Sequence, residues 1–233
     1  MINFCVLKFG KELKGRSTID LVNEIVEPIK DTKDIALHCY TDNHDGIDDR
    51  FNVYELSEED KEKHIHWNMM KFFDPEFIGA KETDQTIYMD IDVTWNKDPS
   101  PMINHVINSS EILGIDRHWK TDETNDDCNL HDSFLKFNSH DFKYIEQWYF
   151  SDPKSYQTHY YENKKVSVPR YGVQNFIWES VNKVAGKNIK FLPSHYVMKS
   201  HKDKYSIYAE QYSKKTGRDY YKDFDEAILH YLT

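Results

Sequence analysis

A chain of 233 residues is long enough to bury one substantial core and short for two, and with 39% hydrophobic and 15% aromatic residues it is too rich in large apolar side chains to stay disordered. A formal net charge of -10 excludes a broad nucleic-acid or anionic-membrane footprint, which needs a clustered excess of Lys and Arg, but leaves room for a small anion held through a metal. Cys5, Cys39 and Cys128 have an odd count and no Cys-x-x-Cys spacing, so a reducing, cytoplasmic setting is expected, and no stretch approaches the ~18 apolar residues of a membrane span.

Residues 2–7 read as a short buried strand, closed by the Phe9-Gly10 turn. Ser17 with Asp20 is a capping pair for a helix whose apolar positions, Ile19, Leu21, Val22, Ile25 and Val26, recur at helical spacing up to Pro28. Residues 34–41 form a second buried strand, followed by the polar loop 42–46, and residues 51–56 a third. Ser57 caps a charged helical stretch, residues 65–73 make an aromatic-rich one that Pro75 closes, and 86–93 is a fourth strand. Beyond Pro101, strands are expected at 112–115, 133–137 and 189–196, helices at 142–150 and 173–184, and a helical wrapping segment at 202–233. This alternation predicts an α/β, Rossmann-like, three-layer architecture: an open mixed sheet flanked by helices, in a single domain over residues 1–233 with its core at about 2–201. Ligands of such sheets gather at the carboxyl ends of the strands.

One strand end stands out. A strand buried on both faces should avoid carboxylates, yet IYMDIDV carries Asp90 and Asp92 near its close. Alternation sets both on one side, offering hard oxygen ligands to one point, a donor set suited to Mg2+ or Mn2+ bridging two phosphate oxygens. A bare Asp-x-Asp is more often ion-paired or a loop cap; its place after a buried fourth strand in an alternating chain favours metal. His64 and His66 lie in an exposed, charged helical entry, and no zinc-hydrolase, nucleophile-elbow or Walker motif is present. Most aromatic residues belong in the core; Trp95 and Trp119 are the two best placed to line an open cleft.

On these residues the chain resembles the GT-A glycosyltransferases, in particular the small phage and bacterial sugar-nucleotide transferase-like proteins, over about residues 2–201. The most specific match is the family's strand ending in Asp-x-Asp, here Tyr88-Met89-Asp90-Ile91-Asp92-Val93. Broader ones are Lys8-Phe9-Gly10, the Thr41-Asp42 loop, the helix led by Trp67, the segment His131-Asp132-Ser133, and Gly172-Val173-Gln174 for the family's Gly-Asp-Gln turn. The resemblance implies a GT-A-like sheet and metal-dependent transfer of a sugar from a nucleotide-diphosphate donor to an acceptor hydroxyl of unknown identity. It makes Asp90, Asp92 and Gln174 candidate catalytic residues. Phe9, Gly10, Thr41, Asp42, Lys71, Tyr88, Asp90 and Ser133 would line the donor, and His195 or His201 would join Asp90 and Asp92 around Mn2+ or Mg2+. The chain departs from the family pattern at Met69, where a Lys often stands, at His131 in place of Asn, and at Val173 in place of Asp. Those departures motivate an alternative, a nucleotide-sugar or glycan-binding relative without activity; a phosphoryl or nucleotidyl transferase using the same acids is a third.

Overall fold

The computed structural model describes residues 1–29, 32, 34–62, 65–118, 128–163, 172–184, 186–200 and 205–232. The first strand, β1 (Ile2–Lys8), is buried at every position, and its alternation is two-sided: Phe4 and Val6 enter one core cluster, Cys5 and Leu7 the other. Such a strand needs cover on both faces, which dictates three layers. Next, β2 (Glu12–Leu13) and β3 (Arg16–Ser17) form a small antiparallel hairpin turned by Lys14 and Gly15 at φ +54° and +75°, the left-handed pair that a tight two-residue turn requires. Ser17 then caps α1 (Thr18–Val26), its hydroxyl accepting from the Asp20 N–H at 3.4 Å.

The chain continues through β4 (Ile35–Thr41), β5 (Phe51–Glu55), α2 (Glu58–Glu62), a 3-10 segment (Ile65–Phe73), β6 (Gln85–Met89), β7 (Val93–Trp95), α3 (Ser100–Ile107) and β8 (Ile112–Asp116). There follow β9 (Leu130–Asn138), α4 (Lys143–Ser151), α5 (Pro153–Asn163), α6 (Gly172–Asn182), β10 (Ile189–Phe191), β11 (Val197–Ser200), α7 (Tyr205–Thr216), α8 (Tyr220–Glu226) and β12 (Leu229–Leu232). Seven strands make the main sheet in the order β10-β8-β9-β6-β1-β4-β5, with β9 antiparallel to both its neighbours and every other pairing parallel. Helices α1 and α3 pack on one face, joined by Tyr212, Tyr220 and Leu229 from the last hundred residues; the 3-10 segment, α4, α5 and α6 pack on the other. A second sheet, β11-β12-β7, sits beside the main one. No helix among the described residues is long and apolar enough to cross a membrane.

Several elements differ from the sequence expectation. Residues 65–73 are 3-10 helix and not α: Trp67, Met70 and Phe73 stand at the eclipsing i, i+3 spacing, and six of the nine side chains are buried. The strand expected at 189–196 is only β10, and β11 starts after a turn. The C-terminal segment is not wholly helical, because β12 returns to pair on both its edges. The fourth strand breaks at Asp90, with consequences described below.

One buried polar cluster makes stability depend on pH. His38 lies between Tyr54 Oη, 3.0 Å from its Nδ1, and Asn3 Oδ1, 3.1 Å from its Nε2. Burial lowers its pKa to about 4, whereas an unfolded histidine titrates near ~6.5. Between those values the unfolded chain binds the extra proton, so stability is full above the unfolded value and declines as pH falls toward the folded one, by on the order of 3 kcal/mol in all. Urea midpoints taken at steps from pH 7.5 to 4.5 should show this decline, and a His38→Gln variant should lack most of it; equal slopes in both proteins would remove His38 from the account.

Candidate active site

The parallel strands β1, β4 and β6 end together at Lys8, Thr41 and Met89, so the loops beginning at Phe9, Asp42 and Asp90 share one rim of the sheet. At Met89 the chain leaves the main sheet. Asp90 N–H still donates to the Ser133 carbonyl of β9 at 2.9 Å, Val93 N–H folds back to the Asp90 carbonyl at 3.3 Å, and β7 then pairs with β12. Asp90-Ile91-Asp92 is therefore a turn between two sheets: Ile91 drops into the core and the flanking carboxylates are left together at the rim.

Tyr88 Oη donates to Asp90 Oδ1 at 2.5 Å. Lys14, at the tip of the β2–β3 hairpin, places its Nζ 3.0 Å from Asp92 Oδ2, while Asp92 Oδ1 is buried with no hydrogen-bond partner among the described residues. A bulge in β9 adds a third acid: the register with β8 jumps from Gly114↔Leu135 to Ile115↔His131, releasing Asp132 and Ser133 from that pairing and leaving Asp132 close enough to act on Asp90. A Cβ at Gly114 would meet Leu130 Cδ1, so that side chain would have to shift to admit one.

Burial raises the Asp90 carboxyl well above the usual range, and the charges of Asp92 and Asp132 raise it further. Asp92 is raised by burial against the opposing charge of Lys14, and Asp132 is pushed up by burial to about 7, with Arg117 opposing. His131, its Nδ1 2.6 Å from Ser133 Oγ, is held well below its ordinary value by burial and by the charges of Lys199 and Arg117. Carboxylates that resist ionising together are relieved by a divalent cation. Among the described residues no group of three or more His, Cys, Asp or Glu side chains is set to hold an ion by itself. A Mg2+-like site, however, commonly uses one or two carboxylates and takes its other oxygens from water and substrate phosphates. Asp90 and Asp92, with one orphaned buried oxygen, fit that pattern.

Phe9, Gly10, Thr41 and Asp42 are brought together at the same rim. Gly10, at φ +69°, donates its N–H to Asp42 Oδ2 at 2.7 Å, and Phe9 packs edge-on to His66 at 5.4 Å. The tie between them is Lys8, which is buried and donates to Asp42 Oδ1 at 3.2 Å, Thr41 Oγ1 at 3.3 Å and the Asn43 carbonyl at 3.1 Å. Lys8 was not among the expected site residues, although a lysine closing an apolar buried strand is a legible signal. Gln174 is buried in the first turn of α6, where its carbonyl accepts from Cys128 Sγ at 3.6 Å, just ahead of β9.

Other expected residues lie elsewhere. Lys71 is not at the rim: its Nζ sits 4.1 Å from the centre of the Phe150 ring, on the α4 layer. His195 is not placed with the acidic pair; Arg218 and Asp223 are the charges acting on it, and its ring packs edge-on to Tyr196 at 5.0 Å. Trp95 does not line a cleft, because its indole N–H donates to the Ile25 carbonyl at 2.9 Å and its body packs on the core. Met69 and Val173 are both core residues, so these two departures from the family pattern are packing choices. His201, Trp119 and His64 lie outside the described residues. Tyr231 carries no local signature that would have singled it out. Pairing Val93↔Tyr231↔Lys199 across the small sheet puts its ring 4.6 Å from that of His131 and between Lys14 and Lys199.

The mostly parallel seven-stranded sheet flanked by helices on both faces matches the fold of solved GT-A glycosyltransferases. Among solved structures the chain is similar to the galactosyltransferase LgtC in complex with donor and acceptor sugar analogs, with a TM-score of 0.60 at 12% identity, covering 99% of this chain and 86% of that one. It is similar also to a glycosyltransferase involved in the glycosylation of the major capsid of PBCV-1, with a TM-score of 0.55 at 12% identity over 99% and 91% of the two chains. A third is the glycosyltransferase GlyE of Streptococcus pneumoniae, with a TM-score of 0.56 at 10% identity over 98% of this chain and 53% of that one. No family model and no curated protein sequence matches the chain.

Proposed function

We propose that this protein transfers a sugar from a nucleotide-diphosphate donor to an acceptor hydroxyl, using Asp90 and Asp92 to hold Mn2+ or Mg2+ at the rim of the sheet. The observation that carries this is the buried Oδ1 of Asp92, without a hydrogen-bond partner among the described residues, beside Asp90, whose carboxyl is raised by burial and by the charges of Asp92 and Asp132. The ion would neutralise charge on the departing nucleoside diphosphate. The protein's own part is orientation: Tyr88 fixes Asp90, and the Lys8–Asp42–Gly10 tie fixes the two loops against which the base and ribose would rest. Gln174 remains the candidate for the transfer centre, and His201, one residue past β11, the candidate for a further ligand.

Calorimetry with UDP, GDP and their sugars, with and without Mn2+, followed by assays for transfer and hydrolysis, tests this. One nucleoside diphosphate should bind only with metal, and its sugar form should release that diphosphate on turnover. Release of pyrophosphate would mean nucleotidyl transfer in its place, and metal-independent or absent binding would defeat the proposal.

A further inference from the structure

The turn Asp90-Ile91-Asp92 is held at both ends, and the two holds converge. At its start, Asp90 N–H donates to the Ser133 carbonyl at 2.9 Å. At its end, Val93 pairs with Tyr231 of β12. Ser133 and Tyr231 are joined through one imidazole. His131 Nδ1 lies 2.6 Å from Ser133 Oγ and accepts from the Ser133 N–H at 3.4 Å, so the ring folds back over the β9 bulge as a side-chain turn. The same ring meets that of Tyr231 nearly edge-on, at 4.6 Å and 66°, a favoured aromatic geometry. Asp90, Ser133, His131, Tyr231 and Val93 thus close a loop of contacts around the two acids, and within that loop the meeting of the two rings joins the β9 side to the β12 side. Backbone pairing on both edges of β12, to Val93 and to Lys199, sets the Tyr231 ring in place, so its side chain can be changed without removing the strand.

We infer that Tyr231 and His131 are positioning residues for the acidic pair, their rings clamping the Asp90–Asp92 turn between β9 and the C-terminal strand. The consequence for a metal rests on the site proposed above, but the clamp itself is a property of the metal-free chain. Supports of this kind keep ligand oxygens aimed at one point, and losing one commonly weakens a metal by roughly ten- to a hundredfold.

The test uses the full chain as wild type, Tyr231→Leu, Tyr231→Phe, His131→Leu and the double Leu variant, with thermal melts showing that each is folded. Two quantities are read: affinity for Mn2+ alone, by calorimetry, and hydrogen exchange at the Asp90 amide without metal. Tyr231→Leu should bind Mn2+ roughly fivefold more weakly, the scale of one edge-to-face ring contact, and exchange the Asp90 amide several times faster, with its melting midpoint little changed. Tyr231→Phe keeps the ring and should behave as the wild type. The double variant should bind no more weakly than His131→Leu alone, because the two residues act in series. Unchanged affinity and exchange in Tyr231→Leu overturn the inference, as does a Tyr231→Phe variant as impaired as Tyr231→Leu. Additive losses in the double variant also overturn it, since Tyr231 would then act by a route that bypasses His131. The two Tyr231 variants decide alone should His131→Leu fail to fold. Failure of the metal proposal looks different: if the wild type takes up no Mn2+, that proposal falls, and faster Asp90 exchange in Tyr231→Leu but not in Tyr231→Phe still upholds the clamp.

Discussion

Asp92→Asn should reduce Mn2+-dependent nucleotide binding by roughly a hundredfold or more, the scale expected when a first ligand and not merely its support is lost, while the metal-free protein melts at the same temperature or slightly higher. Two effects oppose each other in the metal-free state. Losing the contact with Lys14 removes a pair whose lysine is 37% exposed, a class of interaction worth at most about 1 kcal/mol. Losing the charge removes a carboxylate that burial disfavours and that raises its neighbour Asp90, and the second effect is the larger for groups shielded from water. Isothermal titration and differential scanning calorimetry on the same preparations measure both. A metal-free midpoint several degrees lower would make Asp92 a structural partner of Lys14 and leave the acids without a catalytic assignment.

Trp67→Ala has the largest expected effect on stability, a loss of about 3–5 kcal/mol and a midpoint lower by roughly 10 °C in a chain of this length. Trp67 is fully buried; its ring stacks on Tyr149 at 5.0 Å and lies 5.8 Å from Phe176 and 6.4 Å from Tyr160. It thus pins the 3-10 segment to α4, α5 and α6 at one point. The packing there admits little adjustment, since a Cβ on Gly172 would come within 3.3 Å of Trp67 Cζ2 and 2.8 Å of Tyr160 Cβ. Chemical denaturation measures the loss, with Trp67→Phe expected to keep a good part of the stability. A deficit under about 1 kcal/mol would mean that the layer refills the space.

The strands legible in the sequence were those whose burial leaves a local record. Residues 2–7, 34–41 and 51–56 are short apolar runs bounded by turn residues, and each is a strand of the main sheet. Ser17 and Ser57 announced their helices because a cap is a contact three residues away. The alternation of IYMDIDV continued unbroken through Asp90, and pattern alone does not record that the two halves pair in different sheets. For β12 the difficulty was range: its partners are Val197 to Ser200 and Val93 to Trp95, and a four-residue strand amid charged tyrosine-rich helices has no periodicity of its own. The acidic pair was readable because carboxylates in an apolar strand are conspicuous. Asp132 was quoted only as part of a broader match, because it approaches the pair through a bulge, which no local pattern records. Lys71 was named only as the lysine nearest the position the resemblance assigns to one, and the structure sets its Nζ against the Phe150 ring.

The position of β12 as the middle strand of the small sheet has a consequence for how the molecule is made. Strands β7 and β11 flank it and have no backbone pairing with each other. The main sheet is complete at β10, and Tyr231 lies tens of residues further along the chain, so the main sheet can close before β12 pairs. The acids at Asp90 and Asp92 can thus take their place at the rim before the Tyr231 ring joins Lys14 and Lys199 beside them.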